Sequence, residues 1–435
     1  MINEMSVVER ARMLCGGEAA QLVREHVKRA NKALRGLRRA EAQGDRAAVR
    51  GLQIRFLRSC SAKLCAIVLN AEADAGHTWE ILHQNAVELD PFSDPGELVK
   101  AWAKVKSSSG DWRAICEFGL HRAACQSLIG FILDARFGTH PLDYMATGRG
   151  ADVAADRICE FADDGFGWFV LADIENNFGS VNMEKAAEIL GLPQTVVTHC
   201  LSIREEVPLT LSLPWHISPL RFSEAVRQGL PQGARSANRV MARLLGPKIE
   251  ALPPFEQGLF YGDDIAMAVS SRKKAEVAAK ALQEMLASHP AGPFRLKRLE
   301  VKSIFEGFEF AKYRLRRDPI DAHIKITPVS KSYRKFRDKV RETIRDEPVS
   351  EVYARAMAYR ARWLAAFPRY ERTADQEIQA LNLLYQSVIE DLSPVLRCKW
   401  ERACELFNAS GASAPGTHDD WLEDLEPPPL PATWS

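Results

Sequence analysis

The run LFYGDDIAMAV, residues 259–269, restricts the fold more than any other part of the chain. Two short apolar segments flank Tyr261-Gly262-Asp263-Asp264, and they read as two buried strands joined by a tight turn. Gly262 permits that turn, where a side chain would obstruct whatever approaches the tip. Adjacent carboxylates at a hairpin tip repel one another strongly unless a cation sits between them. A lone Gly-Asp-Asp is more often a solvated turn, so its meaning depends on what else the chain supplies.

Three further signals accompany it in a fixed order. In FVLADIENNF an apolar strand delivers Asp173 at its end and places Phe178 five residues later. GLPQGARSAN follows at 229–238, and beyond the YGDD turn Lys302 precedes GFEF at 307–310. Asp173 on a neighbouring strand completes, with Asp263 and Asp264, an oxygen cage suited to Mg²⁺. Two such ions roughly 3.5–4 Å apart activate an attacking hydroxyl and stabilise the leaving oxygen of an in-line phosphoryl displacement. That conjunction is much harder to obtain by chance than any one of its parts.

Over about residues 100–315 these motifs resemble those of reverse transcriptases, RNA-directed DNA polymerases with a right-hand fold. Asp173 and Phe178 match motif A, Leu230-Pro231-Gln232-Gly233 motif B, Tyr261 to Asp264 motif C, Lys302 the motif D lysine, and Gly307, Phe308 and Phe310 the primer-grip turn. Upstream, Lys106 and Arg113, seven residues apart, resemble the fingers pair that meets the incoming triphosphate. The resemblance implies catalytic Asp173, Asp263 and Asp264, with Ile174 among the metal-binding positions, and two Mg²⁺ ions for which Mn²⁺ is an alternative. It implies nucleotide contacts from Lys106, Arg113, Phe178, Gln232, Gly233 and Lys302, with Lys297 close enough in sequence to replace Lys302. Phe178 would exclude a 2′-hydroxyl, the group that separates ribonucleotides from dNTPs. Arg113 would bind phosphate through its planar fork.

Two departures stand out. Motif B commonly reads Gln-Gly, three residues, Ser-Pro, whereas Gln232-Gly233-Ala234-Arg235 leads directly to Ser236-Ala237. The primer-grip turn carries Ala311 and Lys312 where the family often has Leu-Gly. Neither touches the carboxylates. The rival of the same chemistry is an RNA-directed RNA polymerase, which places an Asp where Phe178 stands; the rival of another class is a catalytically inactive RNA-binding scaffold of the same fold.

At 435 residues the chain has room for two or three units. The expected class is α+β, with a basic helical region over 1–90, fingers over 91–170, an antiparallel-sheet palm over 171–325, a helical thumb over 326–408 and a flexible acidic, Pro-rich tail over 409–435. Residues 92–112 read as loop-rich, and the segment to about 165 as short apolar stretches broken by Gly and Pro. Net charge is only +1, yet Arg24 to Lys63 holds twelve basic and three acidic residues, a polyanion-binding composition. Its helical stripe is read from Leu22, Val27, Leu34, Leu37, Val49, Leu52, Phe56 and Leu57. In the thumb, Arg334, Arg337, Arg341 and Arg345 fall on one helix face that would track nucleic-acid phosphates, unless Asp338, Glu342 and Asp346 pair with them. The aromatics Tyr353, Tyr359, Trp363, Phe367 and Tyr370 serve either as helical core or as stacking surfaces.

Nine cysteines without a CxxC pair fit neither a disulfide framework nor a zinc knuckle. No uncharged apolar run is long enough to span a membrane, and the N-terminus lacks a signal-type apolar region, so the expected location is the cytoplasm. The implied partners are an RNA template, such as a dedicated non-coding RNA, dNTPs and a DNA product, with no membrane. A chain of this length without a recognisable nuclease or maturase domain argues against an autonomous mobile element. It resembles the stand-alone bacterial enzymes of antiviral defence, including abortive-infection and retron-like types.

Overall fold

Capping residues set the N-terminal helices. Asn3, Asp45 and Ser59 accept hydrogen bonds from first-turn N–H groups of α1 (Glu4–Cys15), α3 (Arg46–Arg58) and α4 (Cys60–Asn70), pairing donors that a helix leaves open. Between them α2 (Gly17–Ala42) buries Val23, Val27, Ala30, Leu34 and Leu37 at helical spacing. Leu22 departs from the expected stripe and is 49% exposed, because it lies one residue out of phase with Val23 and points outward among the basic side chains. The protein is described from a computed structural model covering residues 1–73, 75–105, 111–370 and 388–410.

The chain divides into two units. One comprises Met1–Ala146, Ala172–Ile265 and Val277–Leu299; the other comprises Thr147–Leu171, Ala266–Glu276 and the chain from Glu300. The class is α+β with antiparallel sheets, as the sequence indicates.

In the first unit, β1 (Val99–Val105) and β2 (Trp112–Glu117) pair antiparallel. The segment expected to be loop-rich is therefore partly a strand. Its inward residues, Val99 and Ala101, join Cys116, Ile203, Val207 and Phe222 in one apolar cluster. Alanine gives the alternation little hydrophobic contrast, which hides the strand from a sequence reading. After α5 (Trp79–Glu88) and this hairpin, α6 (Leu120–Phe137) replaces the expected series of short apolar stretches. It is buried on most sides, so no polar stripe marks its period. Helices α8 (Met183–Leu190), α9 (Gln194–Cys200), α10 (Pro219–Arg227) and α11 (Ala237–Glu250) follow β3 (Trp168–Ile174), with β4 (Leu209–Ser212) lying parallel to β1 between α9 and α10.

A buried ionic node ties this unit together. Glu97 accepts from the backbone N–H groups of His121 and Arg122 at 2.8 Å each, capping α6 from a distance. The fully buried Arg122 donates to both oxygens of Asp94 at 2.9 Å and to the carbonyl of His199 at 2.6 Å.

A four-stranded sheet has the order β5-β6-β3-β7, with β5 (Gln257–Tyr261), β6 (Asp264–Val269) and β7 (Leu296–Ser303); α12 (Arg272–Ala287) intervenes before β7. The outer edge of β5 is covered by residues 142–144, through Phe260 N–H to Leu142 O and Tyr144 N–H to Phe260 O, which removes an edge open to foreign strands.

In the second unit α7 (Ala151–Asp163) accompanies the antiparallel β8 (Phe308–Phe310), β9 (Tyr313–Arg317) and β10 (Ile324–Pro328). The buried Tyr313 hydroxyl donates to Asp152, which also receives Lys312. Then come α13 (Ser330–Asp346), α14 (Val349–Ala365) and α15 (Pro394–Ala409). Phe336 stacks on Tyr359, Trp363 packs on Phe336 and Phe367, and Tyr353 packs on Trp400 and Phe407. Of the two roles expected for these aromatics, packing between helices is the one these contacts display. The predicted tail lies outside the described residues from 411 onward. Among the described residues no helix is long and apolar enough to cross a membrane.

Arg122→Met leaves the partly buried Asp94 without its cation. It should lower stability by about 3 kcal/mol, read as a reduced urea midpoint at unchanged slope; an unchanged midpoint would show that the node does not support the unit.

Candidate active site

The turn at 262–263 needs glycine for its backbone. Gly262 sits at φ +67°, and among the described residues a Cβ there would meet no protein atom within 4 Å, so the requirement is conformational. The N–H of Ile174 donates to the carbonyl of Asp263 at 3.0 Å, fastening the hairpin tip to the end of β3. Ile174 itself is buried. Asp173, Asp263 and Asp264 are thereby drawn to one place.

Their charges act on one another. Burial first, then the charge of Asp263, raises the Asp173 carboxyl above the ordinary range. Burial, followed by Asp263, pushes Asp264 up to about 7. Each carboxylate also faces a basic side chain: Lys297 lies 3.8 Å from Asp173, Arg298 lies 3.2 Å from Asp264, and Arg113 lies 3.8 Å from Asp263. The donors are all hard oxygens, and the raised carboxyls mark a deficit of positive charge, so the chemistry of the set fits a divalent cation such as Mg²⁺. Among the described residues, no three His, Cys, Asp or Glu side chains are already arranged as a ligand group.

The LPQG segment is threaded through a narrow gap. Gly229, at φ +57°, could not carry a Cβ, which would lie 2.4 Å from the carbonyl oxygen of Phe178, and Leu230 N–H donates to that same oxygen at 2.9 Å. Gly233, at φ +117°, lies so close to β2 that a Cβ would fall 2.2 Å from the Cys116 oxygen. The Cys116 N–H in turn donates to the Gln232 carbonyl at 2.8 Å. Residues 229–233 thus join the Phe178 turn to the strand that carries Arg113. Despite the missing residue and proline, Arg235 N–H finds an acceptor in Gln126 at 3.0 Å.

Phe178 is half-buried beside a small cavity lined by Asp143, Asn177, Asn238, Met241, Phe260 and Gly262. Asn177 is 5% exposed, and among the described residues neither atom of its side-chain amide has a hydrogen-bond partner. Asn177 and Arg298 escaped the sequence reading. The polar Asn-Asn pair immediately before Phe178 was the available signal for the first; Arg298, in the charged run LKRLEVKS, gave none.

The remaining candidates are placed as follows. Lys106 lies outside the described residues. Lys302 lies on β7 within the second unit. Lys297 is the lysine that meets Asp173. Gly307 adopts φ +75°, while Phe308 and Phe310 are both buried, Phe308 against Phe169 at 4.8 Å. On α13, Arg337 and Arg341 share Asp391 at 2.7 and 2.9 Å, Arg345 pairs with Asp346, and Arg334 is exposed.

No family model matches the chain, and no curated protein matches it. Among solved structures it is similar to the Sicinivirus 3Dpol RNA dependent RNA polymerase, with TM-score 0.40 and 14% identity over 74% of this chain and 65% of that one. It is also similar to telomerase from Candida albicans in complex with a TWJ fragment of telomeric RNA, with TM-score 0.34 and 10% identity over 76% of this chain and 67% of that one. The chain spans just under two thirds of the viral polymerase's length. These values describe a loose likeness, and no residue's role rests on them.

The raised carboxyl of Asp264 has a consequence for stability. Its proton is held more tightly in the folded chain than in the unfolded one, where a carboxyl titrates near ~4. That contribution is complete below about pH 4 and is lost as pH rises through about 7. Without divalent ions, Asp264→Asn should therefore gain on wild type between pH 5 and 8, by on the order of 2 kcal/mol. Urea unfolding at both pH values tests this; a difference that does not change with pH would contradict it.

Proposed function

We propose that the chain is a reverse transcriptase that copies an RNA template into DNA from dNTPs. In this reading residues 1–90 are the basic helical region, 91–170 the fingers, 171–325 the palm and 326–408 the thumb. The observation that carries it is the meeting of Asp173, Asp263 and Asp264 at adjoining strand ends, each opposite a basic side chain. A cluster of like charges is costly for a fold, and nucleotidyl transfer is a chemistry that requires one.

Asp173, Asp263 and Asp264, with Ile174 alongside, would hold two Mg²⁺ ions, or Mn²⁺, which when bound activate the attacking hydroxyl and stabilise the leaving oxygen. In the reaction the primer 3′-oxygen bonds the α-phosphorus as the bond to the β-phosphate breaks, and pyrophosphate leaves. Arg113, near Asp263, stands where a triphosphate drawn to the carboxylates would meet its fork. Lys106 adds a charge for the outer phosphates, and Lys302 or Lys297 a proton for the leaving pyrophosphate. Gln232 and Gly233 support template and nucleotide, Gly307 to Phe310 the primer, and the α13 arginines the duplex. Phe178 lies under the incoming sugar and excludes a 2′-hydroxyl, which favours this reading over an RNA-directed RNA polymerase. A role in bacterial antiviral defence, in the cytoplasm, follows the sequence resemblance alone.

Primer extension on an RNA template tests the reading. Asp173→Asn or Asp263→Asn should lower incorporation roughly 1,000-fold or more without unfolding the protein, since each removes a ligand charge from a site worth several kcal/mol. Either variant working at the wild-type rate would refute the assignment. Phe178→Val should keep extending with dNTPs while the dNTP preference, as the ratio of kcat/KM for matched dNTP and rNTP, falls on the order of 10-fold or more. An unchanged preference would place the sugar gate elsewhere, and a wild-type preference for rNTPs would overturn the choice of product.

A further inference from the structure

The three-stranded sheet β2-β1-β4 has one face in the core and one in solvent, and the solvent face is unusual. The register sets Trp102 of β1 between Ile115 of β2 and Ser212 of β4, and Lys100 between Glu117 and Thr210. Lys104 stands opposite Arg113 in the next row. Along β1 the outward residues thus read Lys100, Trp102, Lys104, all exposed, while Val99 and Ala101 are buried on the other side. Trp102 is 37% exposed in the central strand, where its indole could have been turned inward by a shift of one residue. Lys100 is partly neutralised by Glu117 at 3.1 Å.

We infer that this face binds the single-stranded RNA template ahead of the active site, with a base stacked on Trp102. The identification of the strand as template rests on the polymerase reading; the surface chemistry stands on its own. A flat ring between two lysines suits an unpaired base with a phosphate on either side, because any base can stack and each ammonium can meet a phosphate. The exposed hydroxyls of Thr210 and Ser212, in register with Lys100 and Trp102, supply partners for the 2′-hydroxyls that distinguish RNA from DNA. Arg113, on the same face, reaches to 3.8 Å from Asp263, so a strand crossing Trp102 and Lys104 arrives at the carboxylates. An acidic protein could also meet the lysines, but a ring, cations and hydroxyls repeated in register match the base, phosphate and 2′-hydroxyl that recur along an RNA strand.

The test is binding of the full chain to fluorescently labelled rU12, dT12 and a blunt RNA duplex, followed by anisotropy. Trp102→Ala should weaken rU12 binding about 5- to 150-fold, the range for losing one stacked base, while Trp102→Phe keeps most of the affinity. Lys104→Gln should reduce the salt slope of rU12 binding by about 0.7, the share of one phosphate contact on a single strand. Ser212→Ala should narrow the preference for rU12 over dT12 severalfold, and duplex binding should change little in all of these variants. Unchanged rU12 affinity in Trp102→Ala would overturn the inference, as it would if a protein occupied the face; equal losses in Trp102→Ala and Trp102→Phe would do so too, since they would indicate packing and not stacking. Primer extension by wild type separates the two readings. Loss of rU12 binding in Trp102→Ala by a protein that extends no primer supports the face and refutes the polymerase, and the reverse pattern refutes the face alone.

Discussion

The site depends on repulsion among three carboxylates. Two like charges about 4 Å apart cost roughly 4 kcal/mol at the dielectric typical of a protein surface, and Asp263 and Asp264 are fixed as neighbours by the covalent chain. The fold offsets this by bringing basic groups from separate parts of the sequence: Arg113 from β2, Lys297 and Arg298 from β7. Burial still leaves Asp264 raised to about 7. Such a cluster is poised to accept further positive charge.

Arg113 can serve the carboxylates only because β2 is held at a fixed place. The Gly229 to Gly233 segment does this by backbone contact alone, one end against Phe178 and the other against Cys116. A Cβ at either glycine would force the two apart. The Phe178 turn, Arg113 and the hairpin tip at Asp263 are therefore mechanically linked, which accounts for the spacing of those motifs better than any single contact does.

The site was legible in the sequence to the extent that its chemistry is carried by local patterns. The hairpin around Asp263 and Asp264 and the strand ending at Asp173 announce themselves by apolar runs and charge, and both strands are found where those runs predict, each extended to include its Asp. Strand β1 was not legible, because Ala101 and Ala103 give its inward face little contrast with Lys100 and Lys104. Helix α6 was hidden for the opposite reason, being apolar nearly all round. Arg298 was illegible because its partner lies 34 residues away in sequence and on another strand. Leu22 shows the limit of counting apolar residues without fixing their phase.

Calorimetric titration of the full chain with Mn²⁺ at pH 7, in buffers of different ionisation enthalpy, tests the central claim most directly. If the three carboxylates are the metal site, binding must displace the proton that Asp264 retains near its raised value of about 7, releasing roughly half a proton or more per chain. Asp264→Asn should release correspondingly less, and Asp173→Asn or Asp263→Asn should lose most of the binding. Mn²⁺ affinity that survives in all three variants, with proton release the same as in wild type, would show that the carboxylate cluster is not where the ion binds.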